Sequence, residues 1–164
     1  MIVKRTLLIL LLILTVLSLT ACDWADSTPE GMYGFLDDIA GFFGSSQITD
    51  DDELIGTRKL ADDAYTGSYT ADCMGSTGRD VVFGSGSILN KTLSIEGQIR
   101  AESGSAVIRI RMNDEIIELE PDSDGCFDTE LNIHSGGNYI MVNYSDFAGS
   151  VELHSKYVNG SAQE

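Results

Sequence analysis

The residues best suited to chemistry in this chain are the acidic ones that precede Gly125. Asp122 and Asp124 have the alternate spacing that calcium loops use for oxygen ligands. If Gly125 is aligned with the glycine of a helix–loop–helix calcium site, Leu131 occupies the position that must supply a bidentate glutamate. The pattern therefore predicts a strand-to-strand turn and no metal site, with Asp122 and Asp124 kept as weak candidates for ligand binding.

Other side chains that could hold zinc or act as nucleophiles lack the required spacing. His134 and His154 are the two histidines, and neither has a partner at a zinc-ligand interval. The sequence GSGS at 84–87 differs from the Gly-x-Ser-x-Gly turn that presents a nucleophilic serine. We therefore expect no catalytic residue, metal or cofactor. A small hydrolase is the third alternative, because paired carboxylates can meet in space.

Phe147 is the aromatic residue that the pattern places in a loop. It follows Asp146, so it is either an exposed ligand contact, together with that aspartate, or a plug that closes the hydrophobic core. In a domain built from short strands, ligands are commonly contacted by loops. The loops expected to do so here are Gly84–Asn90, Pro121–Gly125 and Ser145–Gly149.

Acidic residues dominate the charge of the chain. It has 26 Asp and Glu against 10 Lys and Arg, for a formal net charge of -16. Such a chain is repelled by the phosphate backbone, which excludes nucleic acid as a ligand. Cations, cationic peptides and neutral glycans stay open as ligands, beside the alternative that the acidic surface only maintains solubility.

The second half of the chain has the alternation of a β protein. Apolar and polar residues alternate over short runs, and Gly, Ser, Asn and Asp separate the runs. This pattern predicts an all-β fold, a single antiparallel β-sandwich of about eight short strands within residues 64–158. The predicted strands are Tyr65–Cys73, Arg79–Phe83, Thr92–Ala101, Ala106–Met112, Glu115–Glu120, Cys126–Ile133, Asn138–Tyr144 and Ser150–Val158.

The two predicted strands on either side of Asn113-Asp114 fit a hairpin with a two-residue turn. This register places Arg109 opposite Glu118 on one face and Ile110 on the other. A shift of one residue would bury the arginine and expose the isoleucine, so the register is strongly specified.

A second turn at Ser103-Gly104 would bring the preceding strand alongside this hairpin. Glu96 would then face Arg111, and the apolar residues would again share one face. The sequence therefore predicts a three-stranded meander in which Arg109 and Arg111 are surface ion-pair partners and not ligand clamps.

Residues 22–63 have the composition of a tether that is partly helical. A short amphipathic helix is expected around Phe35–Phe43. Three alternatives stay open for this segment: it docks on the β domain, it lies in a membrane interface, or it is disordered. A second helix is expected over Thr49–Leu60. Residues 159–164 are expected to be a C-terminal tail.

The N-terminal segment has the features of an export signal. Lys4 and Arg5 precede an apolar run that is shorter than the roughly 20 residues a spanning helix needs. The sequence Leu19-Thr20-Ala21-Cys22 at its end resembles the lipobox of bacterial lipoproteins. The resemblance implies that residues 1–21 are removed and that Cys22 carries lipid; an ordinary signal peptide and a short transmembrane anchor are the alternatives.

The resemblance also implies a cellular location and a more negative net charge for the processed protein. The protein would be held by the lipid on Cys22 at the extracytoplasmic side of a membrane, at the cell surface or in the periplasm. Removal of residues 1–21 would leave 8 basic against 26 acidic residues, a net charge of -18. An exported location permits a disulfide between Cys73 and Cys126, but the strand pattern places these residues on faces that would have to meet.

These observations favour a binding function. A lipid anchor, a tether and a β domain without catalytic motifs are expected of a cell-envelope protein that binds a protein, peptide or glycan without transforming it. The alternative is a structural or accessory subunit of an envelope complex.

Overall fold

The computed structural model describes residues 29–158, and at 29–32, 42 and 43 it describes the backbone alone. The predicted signal peptide 1–21, the predicted lipid site Cys22 and the tail 159–164 lie outside these residues. The chain divides into two compact units, Met1–Phe35 and Leu36–Glu164. Of the first unit the structure describes the beginning of a helix, in which Tyr33 and Phe35 are exposed.

The described residues form one helix and six strands, and the strands belong to one antiparallel sheet in the order β1-β2-β6-β3-β4, with β5 also paired to β3. The elements are α1 Pro29–Ser45, β1 Thr57–Leu60, β2 Gly67–Ser87, β3 Lys91–Met112, β4 Glu115–Leu119, β5 Cys126–Ile133 and β6 Gly136–Tyr157.

The three longest strands, β2, β3 and β6, bend midway and so contribute to two layers. Half-sheet A contains β1, β5 and the segments 67–74, 91–101 and 148–157. Half-sheet B contains β4 and the segments 78–87, 105–112 and 136–145. The β2–β6 and β3–β6 pairings thus continue through the bend, and only the short strands at the outer edges differ between the two halves.

The bends coincide with local breaks in strand register. The β2–β6 register shifts between Met74 and Gly78, and the β3–β6 register shifts between Ala101 and Ser105. Within or beside these segments Gly75, Gly104 and Asp146 have φ angles of 97°, 68° and 46°. Such bulges increase the twist and turn a strand out of its plane.

The two half-sheets bury one common hydrophobic core. Tyr69, Leu93 and Leu153 contribute from half-sheet A, and Ile110 and Val142 from half-sheet B. A buried polar link also joins the halves. The Tyr69 hydroxyl donates a hydrogen bond to Asp80 and lies 2.6 Å from the Tyr144 hydroxyl. The predicted all-β antiparallel sandwich is therefore confirmed.

The predicted hairpin is confirmed, and the predicted meander is wrong. Met112 pairs with Glu115, and Arg109 pairs with Glu118, as the Asn113-Asp114 turn requires. The chain does not turn back at Ser103-Gly104; instead β3 continues through this segment as one strand beside β6. Three pairs of predicted short strands are consequently three long bent strands.

The expected helix over Thr49–Leu60 is also wrong. Residues 51–53 form a turn and 57–60 form β1, which pairs with β2. The buried carboxylate of Asp80 accepts hydrogen bonds from the backbone N–H groups of Ile55 and Gly56, at 2.9–3.1 Å. These long-range contacts outweigh the local helix signal.

None of the helices described within residues 29–158 is long and apolar enough to cross a membrane.

Candidate functional site

The outer face of half-sheet B carries an unusual set of basic side chains. In β3, Ile108 and Ile110 are buried in the core, so Arg109 and Arg111 point to the opposite face. Arg79 lies on the same face, since it pairs with Asn143 of β6, which in turn pairs with Val107 of β3. Three of the eight basic residues that follow residue 5 therefore share this face of an acidic protein.

An open groove of about 540 Å³ lies on this face, and we call it the arginine groove. Its volume is within the usual range for small-ligand sites. Arg79 on β2 lies two strand spacings from β3 and is level with Val107, two residues from Arg109, so the backbones at Arg79 and Arg109 are about 12 Å apart. The groove is lined by Gly78, Arg79, Ser105, Val107, Arg109, Glu118, Asn143, Tyr144 and Ser145.

The two arginines in the groove have different surroundings. Nε of Arg109 lies 3.0 Å from Oε1 of Glu118, which makes an ion pair without an aligned hydrogen bond. Arg79 is exposed, and within residues 29–158 its guanidinium has no hydrogen-bond or ion-pair partner. Arg79 is therefore the free cation of this groove.

Arg111 lies on the same face, but its guanidinium has interaction partners. Its guanidinium stacks 4.7 Å from the centre of the Tyr139 ring and donates to Gln47 Oε1 at 2.7 Å. Tyr139 donates in turn to the Gly44 carbonyl of α1 at 3.0 Å. Arg111 thus helps to hold the helix and does not line the groove.

A polar atom in the wall of the groove is buried without a hydrogen bond within residues 29–158. The side-chain oxygen of Asn143 is buried and has no hydrogen-bond partner among the described residues. Buried polar atoms are nearly always hydrogen-bonded, so such an atom calls for an explanation. At the base, burial raises the pKa of Tyr144, which keeps its hydroxyl protonated.

The sequence candidates Asp122 and Asp124 line a different groove of about 460 Å³, which also includes Arg100. Oδ1 of Asp122 accepts the N–H groups of Asp124 and Cys126, both at 2.9 Å. This is the turn that the sequence predicts. Among the described residues, no group of three acidic, histidine or cysteine side chains is placed to hold a metal ion.

The sequence candidates Phe147 and Asp146 lie at the bend of β6. Phe147 is fully buried and packs against Tyr144 with ring centres 5.8 Å apart, so the interpretation as a ligand contact is wrong and it plugs the core. Asp146 forms a reciprocal pair with Thr77, whose hydroxyl accepts the Asp146 N–H and donates to its carboxylate. The structure brings neither residue together with Asp122 or Asp124 in one groove.

The expected ligand loop Gly84–Asn90 is largely covered. Residues 84–87 belong to β2, and Ser85 and Ser87 are buried against α1. The hydroxyl of Ser85 donates to the Gly41 carbonyl at 2.5 Å. This segment is therefore a docking site for the helix. Cys73 and Cys126 are both free, with Cys73 buried.

Sequence reasoning missed Arg79 and Asn143. Arg109 was expected to be an ion-pair partner, and its pairing with Glu118 is confirmed. The alignment of Arg79 with Arg109 depends on β6 lying between β2 and β3, which the strand pattern does not reveal. Basic residues at alternate strand positions in an acidic chain are the signal that could have drawn attention to this face.

Comparisons with known proteins give weak structural likeness. No protein-family model matches the chain, and no curated protein matches it. A carbohydrate-binding module from Cellvibrio mixtus lichenase 5A, solved with cellotriose, is similar with a TM-score of 0.35 and 6% identity, over 71% of this chain and 95% of that one. An exo-β-1,3-galactanase from Phanerochaete chrysosporium has a TM-score of 0.29 and 16% identity, over 63% of this chain and 30% of that one. At these TM-scores neither likeness identifies a ligand for this chain.

Proposed function

We propose that this protein is a lipid-anchored protein of the cell envelope whose β-sandwich binds an acidic, hydroxyl-rich ligand in the arginine groove without transforming it. An acidic saccharide has this chemistry; the net charge of -16 disfavours anions in general, but Arg79 and Arg109 make the groove locally basic. The observation that carries the proposal is Arg79, an exposed guanidinium without a partner in the same groove as Arg109 and the unsatisfied amide of Asn143.

The side chains of the groove suit carboxylates and hydroxyls together. Guanidinium groups bind carboxylates with charge-assisted hydrogen bonds. Ser105, Ser145 and Asn143 offer both donors and acceptors to sugar hydroxyls. The one aromatic residue in the lining, Tyr144, is buried, so the groove offers no exposed ring on which a neutral sugar could stack.

The number of carboxylates in the lining of the groove supports binding without catalysis. Glu118 is the single carboxylate in its lining, and it is paired with Arg109. Glycoside hydrolysis ordinarily uses two carboxylates on either side of the scissile bond. A ligand in this groove would meet only one.

The lipid anchor rests on the sequence Leu19-Thr20-Ala21-Cys22. Several acyl chains on Cys22 would give a stable attachment, since each buried methylene contributes about 0.8 kcal/mol. Replacement of Cys22 by serine should release the protein from membranes or leave it unprocessed. Unchanged acylation and membrane attachment in Cys22→Ser would overturn the anchor.

The binding proposal is tested by titrating the protein with uronic-acid oligosaccharides and with neutral oligosaccharides of the same length. We expect the acidic series alone to bind. Arg79→Ala should weaken binding about tenfold or more, since a hydrogen bond to a charged group contributes about 1.5–3 kcal/mol. Arg100→Ala is the matched control, because Arg100 is an exposed arginine outside the arginine groove.

Equal affinity for the neutral and acidic series would contradict the proposed ligand class. Loss of binding in Arg100→Ala but not in Arg79→Ala would move the site to the groove beside Asp122 and Asp124.

A further inference from the structure

Helix α1 is attached to half-sheet B through one carboxylate. Asp37 is buried and accepts hydrogen bonds from the Ser87 hydroxyl at 2.8 Å and from the backbone N–H groups of Ile88 and Leu89 at 2.7 and 3.2 Å. Its second oxygen lies 2.7 Å from Nζ of Lys91. These four donors fix the rotation of the helix about its axis.

Small residues on the same side of the helix allow a close approach. Gly41 and Gly44 follow Asp37 by one and two turns, and a Cβ on Gly44 would overlap the backbone of Gly86. Gly86 in turn meets the Ala40 carbonyl so closely that it also has no room for a Cβ. The helix therefore docks through an acidic and small-residue face.

Two apolar side chains beside this face, among those that the structure describes, are not buried against the sheet. Leu36 and Ile39 are 42% and 39% exposed. Phe35, one residue before them, is 55% exposed. An amphipathic helix usually buries such side chains on a core, so the exposure of Leu36 and Ile39 calls for an explanation.

We propose that the exposed apolar residues Leu36 and Ile39 of α1 lie in the interface of the membrane that anchors Cys22. This inference rests on the lipid anchor of the proposed function. Six residues lie between Cys22 and Pro29, and the seven Cα–Cα steps from one to the other span at most about 25 Å in an extended chain. A lipid on Cys22 would therefore hold the helix beside the bilayer, where an apolar face can be buried about 5–10 Å deep.

The charge of the helix selects the kind of lipid. The sequence of α1 contains no Lys or Arg, and Asp38 is exposed, so an anionic surface would repel it. Asp37 does not add to this repulsion at the membrane because Lys91 neutralises it. A zwitterionic lipid surface is the occupant that fits.

The test uses the full chain, recovered from the membranes of a bacterium that processes lipoproteins and reconstituted in phosphatidylcholine vesicles. Trp24 is the sole tryptophan, so a Trp24→Phe background allows one reporter at a time. The reporters are Ile39→Trp on the apolar face and Asp38→Trp as the matched control on the same helix. Lipids with bromine in the upper acyl chain quench a tryptophan that reaches them.

We expect quenching at position 39 to be several-fold stronger than at position 38. Equal, weak quenching at both positions in protein whose mass shows an acylated Cys22 would overturn the membrane face and leave the anchor intact. Quenching at position 39 with an unmodified Cys22 would keep the membrane face and overturn the anchor. Weak quenching in vesicles combined with protection of position 39 in native envelopes would show that a protein covers this face, which overturns the lipid proposal.

Discussion

Half-sheets A and B are built largely from the same three strands, yet their outer faces differ. In half-sheet A, β6 alternates between buried and exposed residues, with Val151, Leu153 and Ser155 inside. In half-sheet B, the same strand is buried at every position from Asn138 to Val142. Half-sheet A therefore has a solvated outer face, whereas helix α1 and the chain after it cover part of half-sheet B.

The charge of the two outer faces differs in the same way. Among the described residues, half-sheet A carries five carboxylates and three basic side chains on its outer face, whereas half-sheet B carries one carboxylate, Glu118, and the three arginines at 79, 109 and 111. Continuous burial of a strand requires cover on both sides, whereas alternation requires cover on one. The comparison shows that two layers of one bent sheet can differ in cover and in charge: one presents a solvated outer face, and the other is partly covered by α1 and carries mainly arginines.

The largest effect is expected where the two halves are tied together, at Asp80. Asp80→Ala leaves the buried hydroxyl of Tyr69 and the N–H groups of Ile55 and Gly56 without their acceptor, which should lower the free energy of unfolding by about 3 kcal/mol or more. Urea denaturation measures the loss. Asp72→Ala, on the exposed face of half-sheet A, should change stability by no more than about 0.5 kcal/mol. Similar losses of unfolding free energy in Asp80→Ala and Asp72→Ala would contradict a stabilising role of the polar link between the half-sheets.

The next effect separates a docked helix from a free one. Gly44→Ala should destabilise the protein by about 1–3 kcal/mol because its Cβ has no space against Gly86. Gly34→Ala meets no atom within 4 Å and should stabilise the helix by about 0.5–1 kcal/mol. Thermal unfolding of both variants gives the signs. Stabilisation in both would mean that α1 does not pack closely on half-sheet B.

A smaller effect is expected at low pH, where helix α1 should lose stability. Burial tends to raise the pKa of Asp37, but hydrogen bonds from Lys91, Ile88 and Ser87 outweigh it and hold the pKa below its ordinary value of 3.8. A depressed carboxyl pKa gives stabilisation that is complete above 3.8 and is lost as pH falls through the lower native value. The protection factors of α1 amides, which are corrected for intrinsic exchange, should therefore fall below pH 3.8 more than those of half-sheet A. The difference should vanish in Asp37→Asn; its persistence there would assign the acid response to another group.

The smallest stability effect is expected for the ion pair in the groove. Arg109 and Glu118 are partly exposed, so a double-mutant cycle should give a coupling of about 0.2–1 kcal/mol. The same cycle on Lys156 and Glu96 of half-sheet A should give a similar value. A much larger coupling in half-sheet B would mean that Arg109 serves the fold more than it serves a ligand.

The sequence predicts much of the local structure because side-chain alternation and turn residues are local signals. The register of the hairpin at Asn113-Asp114 follows from placing Ile110 inside and Arg109 outside. The run Asn138–Tyr144 alternates little between apolar and polar residues, which is typical of a strand with both faces largely covered. These features depend on residues that are near one another along the chain.

The bends and the groove could not be predicted in this way. A Gly-containing segment such as 103–105 suits a tight turn and a bulge equally well, and only pairing with β6 selects the bulge. Arg79 becomes a neighbour of Asn143 through a contact between residues 64 positions apart. Phe147 is buried because both half-sheets close over it, which its polar sequence neighbours do not indicate.

The most direct test of the central claim is a map of backbone amide chemical shifts as a uronic-acid oligosaccharide is added. The account predicts that the perturbed residues cluster on half-sheet B around Arg79, Arg109 and Asn143, and that the outer face of half-sheet A is unaffected. Perturbation centred on Arg100 and Asp122, or on the outer face of half-sheet A, would contradict it.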